Sequence, residues 1–197
     1  METNGLAVTE STMLPLGAPA PDFDLPEPSG KRFHLADFAD AEGLVVAFIC
    51  NHCPFVKLIR EGLAEFARDY AKRNIAMVAI NANDIDAHRG DAPEKMQEDI
   101  DRFGYDFPYV YDESQEVAKA YRAACTPEFY LFGADRKLVY RGRFDGATPG
   151  NGEPVTGEEL RSAADALLAG NTPDADQKPG IGCNIKWKPG NAPDYFA

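Results

Sequence analysis

Basic residues and long apolar runs are both scarce in this sequence of 197 residues. The chain has 20 Lys and Arg against 32 Asp and Glu, which gives a formal net charge of −12. A surface of that sign repels phosphate backbones and anionic lipids, so we expect neither nucleic acid nor a membrane as a partner. The longest apolar run, residues 44–50, is far shorter than the roughly 20 residues that cross a bilayer. Because Met1-Glu2 opens without a basic region or an apolar signal core, we expect a cytoplasmic protein.

Cysteine is also rare, with four in the whole chain. In a reducing compartment such cysteines are more often reactive, metal-binding or simply buried than joined in a structural disulfide framework. The remaining composition, 44% hydrophobic and 26% charged residues, is ordinary for a globular protein. A chain of this length buries a substantial core without disulfides, so we expect one folded domain.

Hydrophobic periodicity predicts alternating strands and helices. Residues 44–49 are typical of a strand covered on both faces, and the helical spacing that follows continues to about residue 72. With a second buried strand at residues 75–80, this order predicts a parallel pair joined by a right-handed crossover. Further predicted elements are paired strands around residues 17–38, a helix capped by Asp91 that runs to Phe103, a short helix at residues 114–121, a hairpin at 128–132 and 138–142, and a last helix opened by a capping box at Thr156–Glu159.

Three regions follow from this pattern. Residues 1–16 are predicted as a flexible lead-in, residues 17–170 as the domain, and residues 171–197 as an irregular C-terminal tail. The tail is rich in proline and glycine, yet it contains Cys183, Trp187 and other apolar side chains. Because exposed aromatic side chains in a mobile segment are a liability, we expect the tail to pack on the domain.

The motif with the clearest chemical meaning is Cys50-Asn-His52-Cys53-Pro, placed where the first core strand gives way to a helix. A cysteine at a helix N-terminus faces unpaired backbone N–H groups and the positive end of the helix dipole, which favours its thiolate. His52, when protonated, and Lys57, one turn along the helix, add positive charge. Cys53 is therefore the candidate nucleophile.

This arrangement resembles the thioredoxin and peroxiredoxin superfamily, particularly its peroxiredoxin-like branch. The Ala-Pro-Asp-Phe of residues 20–23 and the Cys125-Thr126-Pro127 before a strand belong to the same resemblance, which covers residues 17–188. It implies an α/β thioredoxin-like fold with a central mixed sheet, helices on both faces, an N-terminal β extension and an irregular C-terminal tail. It also implies a cis Thr126–Pro127 bond that presents the preceding backbone to the active thiol.

Two registers of the cysteine pair are compatible with this resemblance. Either Cys50-Asn-His-Cys53 is a dithiol motif in its own right, or Cys53 takes the first position of the thioredoxin pattern and Val56 replaces its second cysteine. We favour the second register, because the core strand of thioredoxins ends about two residues before the first cysteine. Cys50 is then a buried residue at the strand end.

The resulting prediction is an oxidoreductase that carries out thiol-disulfide exchange. Cys53 attacks a protein or small-molecule disulfide, Thr126 and Pro127 orient the substrate backbone, and a reducing thiol donor restores the enzyme. No organic cofactor is implied. Since Val56 cannot resolve a mixed disulfide, another thiol must do so. Cys125 ranks first because it lies two residues before Pro127, and the alternatives are Cys183, Cys50 or an external thiol.

Peroxide reduction through a sulfenic acid at Cys53 is the first alternative. The resemblance counts against efficient peroxidase activity, because Val46 and Cys50 stand where peroxiredoxins have the Pro and Thr that shape the peroxide pocket. A third interpretation is a redox-silent interaction module that keeps the fold.

A metal-binding protein is the alternative from another class. Cys50, His52 and Cys53 have spacing that suits zinc or copper(I), with Cys125 or Cys183 completing the ligand set. The polar segment of residues 81–86 lacks the Gly and Glu of a calcium loop and is predicted to be a solvated loop instead.

Overall fold

The computed structural model describes residues 8–196, and its elements alternate as the periodicity predicts. Its strands are β1 (Thr9–Glu10), β2 (Asp24–Pro26), β3 (Arg32–His34), β4 (Gly43–Phe48), β5 (Ile75–Asn81), β6 (Tyr109–Tyr111), β7 (Cys125–Thr126), β8 (Glu128–Gly133), β9 (Leu138–Gly142) and β10 (Ile181–Asn184). Its helices are α1 (Pro54–Ala71), α2 (Pro93–Phe103), α3 (Glu116–Ala120) and α4 (Glu158–Leu168). None of the helices in this part of the chain is both long and apolar enough to cross a membrane.

The central sheet is mixed, with its five strands in the order β6-β5-β4-β8-β9. Strand β4 runs parallel to β5 and antiparallel to β8, and all six of its residues are buried. Burial on both faces explains why this segment is a continuous run of apolar residues. The predicted parallel pair around α1 is therefore confirmed, and the sequence pattern missed only the short edge strand β6 in this sheet.

Each face of the sheet is covered by its own hydrophobic core. Helices α1, α2 and α4 pack on one face through Phe66, Met96 and Leu160. The other face is covered by the β2–β3 hairpin, by α3 and by the tail, and includes Tyr121 and Ile185. A mixed sheet with helices on both faces confirms the predicted thioredoxin-like α/β fold.

The two ends of the chain meet in a small second sheet. Strand β10 of the tail lies between β1 and β7 and pairs antiparallel with both. Ser11 strengthens the junction, since its backbone N–H donates to the Gly180 carbonyl and its hydroxyl accepts the Gly180 N–H. From Thr9 onward the predicted flexible lead-in is thus tied to the tail, while residues 1–7 lie outside the described part of the chain.

One predicted helix cap is wrong, and the other is only partly formed. Helix α2 begins after Ala92, and Asp91 is buried and directed at the loop before α1. Helix α4 begins after Gly157, where the Asp145 carboxylate accepts the N–H groups of Thr156 and Gly157 at 2.7 and 2.6 Å. At α2 a long-range contact replaces the local cap that the sequence suggested, whereas at α4 the Thr156 hydroxyl still accepts the Glu158 N–H at 3.3 Å.

Candidate active site

Cys53 is the N-cap residue of α1 and is completely buried. Its Sγ lies 3.2 Å from the carbonyl oxygen of Thr126, and the Thr126–Pro127 bond is cis, as expected. Hydrogen bonding from Cys183 and Cys50 lowers the pKa of Cys53 well below the usual value, against the opposing effect of burial, and the Val56 N–H adds to the lowering. Cys53 therefore favours the thiolate form although its side chain is not exposed to solvent.

Cys183 reaches this site from the tail. In the antiparallel pairing of β10 with β7, Cys183 lies opposite Thr126, so their side chains share one face. The Thr126 hydroxyl on that face lies 3.4 Å from Cys50 Sγ. Hydrogen bonding to the Cys53 sulfur and burial both raise the pKa of Cys183. Cys183 is therefore the protonated neighbour of a thiol that favours the thiolate form.

Cys125 points the other way, which corrects the predicted ranking of the two resolving candidates. Successive side chains of a strand project to opposite faces, and Cys125 immediately precedes Thr126. Its Sγ lies 3.6 Å from the Gly180 carbonyl oxygen and 3.8 Å from the Glu128 carboxylate. Burial and the charge of Glu128 raise its pKa. The structure favours Cys183 over Cys125 as the thiol beside Cys53.

Cys50 follows the last residues of β4 and is buried at the strand end. Burial is the main cause that raises its pKa, and the neighbouring Cys53 and Asp91 add to the effect. Its Sγ also lies 3.9 Å from His52 Nδ1. Cys50 is thus a protonated second neighbour of Cys53, in agreement with the register in which Cys53 starts the helix.

Asp91 is a site residue that the sequence analysis missed. Its carboxylate is fully buried and accepts the backbone N–H groups of Asn51 and His52 at 2.8 and 3.1 Å. His52 Nδ1 lies 2.5 Å from its other oxygen, which also accepts a hydrogen bond from Asn83. Burial acts to raise the pKa of Asp91, but the hydrogen bonds from His52 and Asn83 outweigh it and lower the value. Asp91 therefore holds the Cys50–Cys53 loop and orients the His52 ring.

The predicted solvated loop after β5 is instead part of this support. Asn81, Asn83 and Asp84 are all buried, and the Asn81 side chain donates to the Asp91 carbonyl at 2.7 Å. Asn83 connects the support to the tail, because its side-chain oxygen accepts the Lys186 N–H. A run of polar residues in a sequence predicts solvent exposure. The long-range hydrogen bonds that bury these residues can be seen only in the structure.

Asn51 is held from two further sides. Tyr109, on the edge strand β6, donates its hydroxyl to Asn51 Oδ1 at 2.7 Å. Arg60 donates to the Asn51 carbonyl and pairs with Asp99 at 2.8 Å. The predicted cation Lys57 is exposed. Arg60, on α1, is therefore the cation that binds the Cys50–Cys53 loop.

The predicted metal-ligand set is only partly assembled. Among the described residues, one ligand atom each from Cys50, His52 and Asp91 lie within 4.8 Å of one another. Asp91 thus takes the place that the sequence analysis gave to Cys53. Because the Asp91 carboxylate already accepts four hydrogen bonds, an ion would have to displace some of them.

Comparison with curated proteins gives relatives of named activity. The thiol-disulfide oxidoreductase ResA of Geobacillus thermodenitrificans is 26% identical over 130 residues, which cover 66% of this chain and 70% of that protein. ResA of Bacillus subtilis is 25% identical over 123 residues, covering 62% and 64%. The predicted class, an oxidoreductase enzyme, agrees with these relatives.

Two solved structures match nearly the whole chain. A hypothetical protein from Sinorhizobium meliloti 1021 has a TM-score of 0.91 and 53% identity, covering 92% of this chain and all of that one. An uncharacterized conserved protein from Geobacillus kaustophilus has a TM-score of 0.91 and 51% identity, covering 94% and 98%. A secreted disulfide oxidoreductase of Mycobacterium tuberculosis, at 19% identity and a TM-score of 0.56, shares the fold.

The family assignment comes from a model that matches residues 16–141, from the lead-in through β9. This range contains Cys53, the cis proline and the buried support of the loop. The chain belongs to the AhpC/TSA family and has a thioredoxin-like fold.

Proposed function

We propose that the chain is a thiol-disulfide oxidoreductase in which Cys53 attacks the substrate disulfide and Cys183 resolves the mixed disulfide. The observation that carries this proposal is the pairing of the two thiols at the start of α1. Their mutual hydrogen bonding lowers the pKa of Cys53 and raises that of Cys183. One thiol is thereby prepared as a nucleophile while its neighbour keeps a proton.

The proposed reaction cycle uses the two thiols, a substrate disulfide and a dithiol reductant. The Cys53 thiolate attacks one sulfur of the substrate, the substrate S–S bond breaks, and the leaving thiolate takes up a proton. Cys183 then loses its proton and attacks Cys53 Sγ, which forms the Cys53–Cys183 disulfide and releases the second substrate thiol. The substrate gains two electrons, the chain loses two, and a dithiol reductant restores it.

His52 is the candidate proton donor for the leaving thiolate. Asp91 binds the ring through Nδ1, so Nε2 remains available on a side chain that is about one third exposed. A buried carboxylate that holds one ring nitrogen also fixes the orientation of the ring. Asp91 acts in this proposal as a positioning residue.

Trapping the intermediate tests the assignment of Cys183. The Cys183→Ser variant should accumulate a mixed disulfide between Cys53 and the substrate, detectable by intact mass, while wild type forms the internal disulfide. The Cys125→Ser variant is the matched control and should behave like wild type. Accumulation of the mixed disulfide in Cys125→Ser, and not in Cys183→Ser, would contradict the proposal.

Peroxide reduction is a second candidate, because the lowered pKa of Cys53 favours the thiolate that attacks a peroxide. In that reaction Cys53 becomes a sulfenic acid, and Cys183 condenses with it to the same disulfide. Measuring peroxide consumption and disulfide reduction with the same reductant compares the two activities.

Metal binding is a third candidate function, because ligand atoms of Cys50, His52 and Asp91 lie close together. The metal content of the purified protein tests it.

A further inference from the structure

The tail strand β10 occupies the place where an extended substrate segment would have to lie. It is an extended segment that pairs with the backbone of Thr126 and places a thiol, that of Cys183, against Cys53. A polypeptide with a cysteine at its centre would need the same backbone pairing to bring its sulfur to the same point. The chain therefore contains its own copy of an extended cysteine-bearing ligand.

The strand is fixed on both of its edges. Gly182 pairs with Thr9 of β1 on one side, and Cys183 pairs with Thr126 on the other. The approach to β7 is so close that a Cβ on Gly182 would lie 1.9 Å from the Thr126 carbonyl oxygen. Beyond the strand, Ile185 is buried and its N–H donates to the Ala124 carbonyl. Removing β10 would break backbone hydrogen bonds at several points.

The space left beside the cis proline is small. A cavity of about 20 Å³ lies between Phe55, Pro127 and Ile181, which is enough for about one water molecule. Cys53 itself is completely buried. A small disulfide needs only a local displacement of these side chains to reach Cys53, whereas an extended peptide needs the whole of β10 to leave.

We propose that β10 acts as a built-in substrate mimic that restricts the enzyme to low-molecular-weight disulfides. This inference rests on the proposed thiol-disulfide exchange at Cys53 and names its substrate class. Gly182 is the specificity-determining residue, because only a residue without a side chain lets β10 lie this close to Thr126.

Two probes with the same leaving group test the substrate class. One is the mixed disulfide of thionitrobenzoate with 2-mercaptoethanol, and the other is that of thionitrobenzoate with a single-cysteine extended peptide. Cys53 attacks the sulfur that carries the probe's alkyl group or peptide, the S–S bond to thionitrobenzoate breaks, and the coloured thionitrobenzoate anion leaves with the electron pair. The Cys183→Ser background keeps the resolving step out of the measurement.

In this background we expect the small probe to react at least about tenfold faster than the peptide, because only the peptide requires opening of β10. Adding Gly182→Ala, which pushes β10 away from Thr126, should bring the two rates to within about threefold of each other. Gly146→Ala is the matched control, since a Cβ there meets nothing closer than the Arg143 side chain at 3.9 Å, and it should leave the ratio unchanged. If Gly182→Ala does not fold, Ser11→Ala weakens the same junction.

The possible outcomes separate the two proposals. Equal rates for both probes before any opening mutation leave thiol-disulfide exchange intact and overturn the restriction to small disulfides. A ratio that stays the same in both opening variants overturns the role of β10. If neither probe reacts with Cys53, the proposed function itself fails, and the inference fails with it.

Discussion

Cys53 and Cys125 are both completely buried, and both lie close to Thr126. Their pKa values are nevertheless shifted in opposite directions. The pKa of Cys53 is lowered by hydrogen bonding from Cys183 and Cys50. The pKa of Cys125 is raised by burial and by the charge of Glu128. Since both thiols lie away from solvent, burial cannot account for the difference. The groups that face the sulfur decide whether a buried cysteine becomes a nucleophile.

Backbone geometry supplies those groups. Cys53 precedes the first turn of α1, where the Val56 N–H faces its sulfur. Cys125 lies on a strand, and its nearest side-chain partner is the carboxylate of Glu128 at 3.8 Å. A thiolate there would meet an acidic neighbour, whose effect on the pKa exceeds the lowering by Ser11. The same residue type therefore favours the thiolate at one position and the thiol at the other.

Replacing the two cysteines gives the largest expected contrast. Cys53→Ser should reduce disulfide turnover to the uncatalysed rate, because serine is not ionised near neutral pH. Cys125→Ser should retain nearly full turnover. Reduction of a small disulfide, followed with an excess of dithiol reductant, measures both. Comparable losses in the two variants would remove the distinction between the cysteines.

The second largest effect is expected from removing Asp91, whose carboxylate holds the Cys50–Cys53 loop, and it should appear as a loss of stability. Asp91→Ala leaves two backbone N–H groups and the Asn83 side chain without their acceptor, which we expect to cost about 3 kcal/mol of unfolding free energy. Urea denaturation measures this loss. The control is Asp86→Ala, an exposed aspartate whose removal should change the stability by less than about 0.5 kcal/mol. Similar midpoints for both variants would show that the Asp91 network stabilises little.

The position of Cys53 was predictable from sequence because its causes are local. An apolar strand, a linker and Cys-Pro at a helix start can be identified from neighbouring residues, and the resemblance added the proline at 127. Cys183 had no such signal. Its approach to Cys53 depends on the pairing of β10 with β7, which joins residues nearly 60 positions apart. Turn-rich tail sequence gives no register for such a pairing.

Asp91 illustrates a second limit of sequence reasoning. An aspartate two residues before the first helical residue fits a helix cap, and its local pattern predicts that role. In the folded chain the loop carrying Asn51 and His52 offers it unpaired N–H groups, and the carboxylate binds there. A helix cap and a long-range acceptor both provide a carboxylate near a helix start with hydrogen-bond donors. Only the tertiary structure distinguishes these two roles.

Changing the donor at position 183 should shift the ionisation of Cys53 without removing it. Cys183→Ala deletes a hydrogen-bond donor to the Cys53 sulfur, so the pKa of Cys53 should rise. Cys183→Ser retains a hydroxyl donor and should raise the pKa less. Thiolate absorbance near 240 nm, titrated with pH, follows the ionisation without requiring a reagent to enter the site. Superimposable titrations of the two variants would show that Cys183 does not set the pKa of Cys53.

Glu128 provides the smallest and most specific test, because it acts on the Cys125 side alone. Burial raises its pKa above the ordinary 4.5, although the N–H groups of Ala124 and Cys125 and the Tyr130 hydroxyl donate to it. The folded chain therefore holds this proton more tightly than the unfolded chain. The resulting stabilisation is complete below the unfolded pKa and is lost as the pH rises through the folded pKa.

Glu128→Gln removes this titration while keeping an oxygen that accepts hydrogen bonds. The wild-type stability relative to Glu128→Gln should fall as the pH rises above 4.5, by about 1.4 kcal/mol for each unit that separates the folded and unfolded pKa values. Urea unfolding across a pH series measures the difference, with the exposed Glu113→Gln as control. Parallel stability curves for wild type and Glu128→Gln would mean that Glu128 titrates alike in both states. Glu128 would then be ionised beside Cys125 at neutral pH, and its negative charge, with no retained proton, would face that thiol.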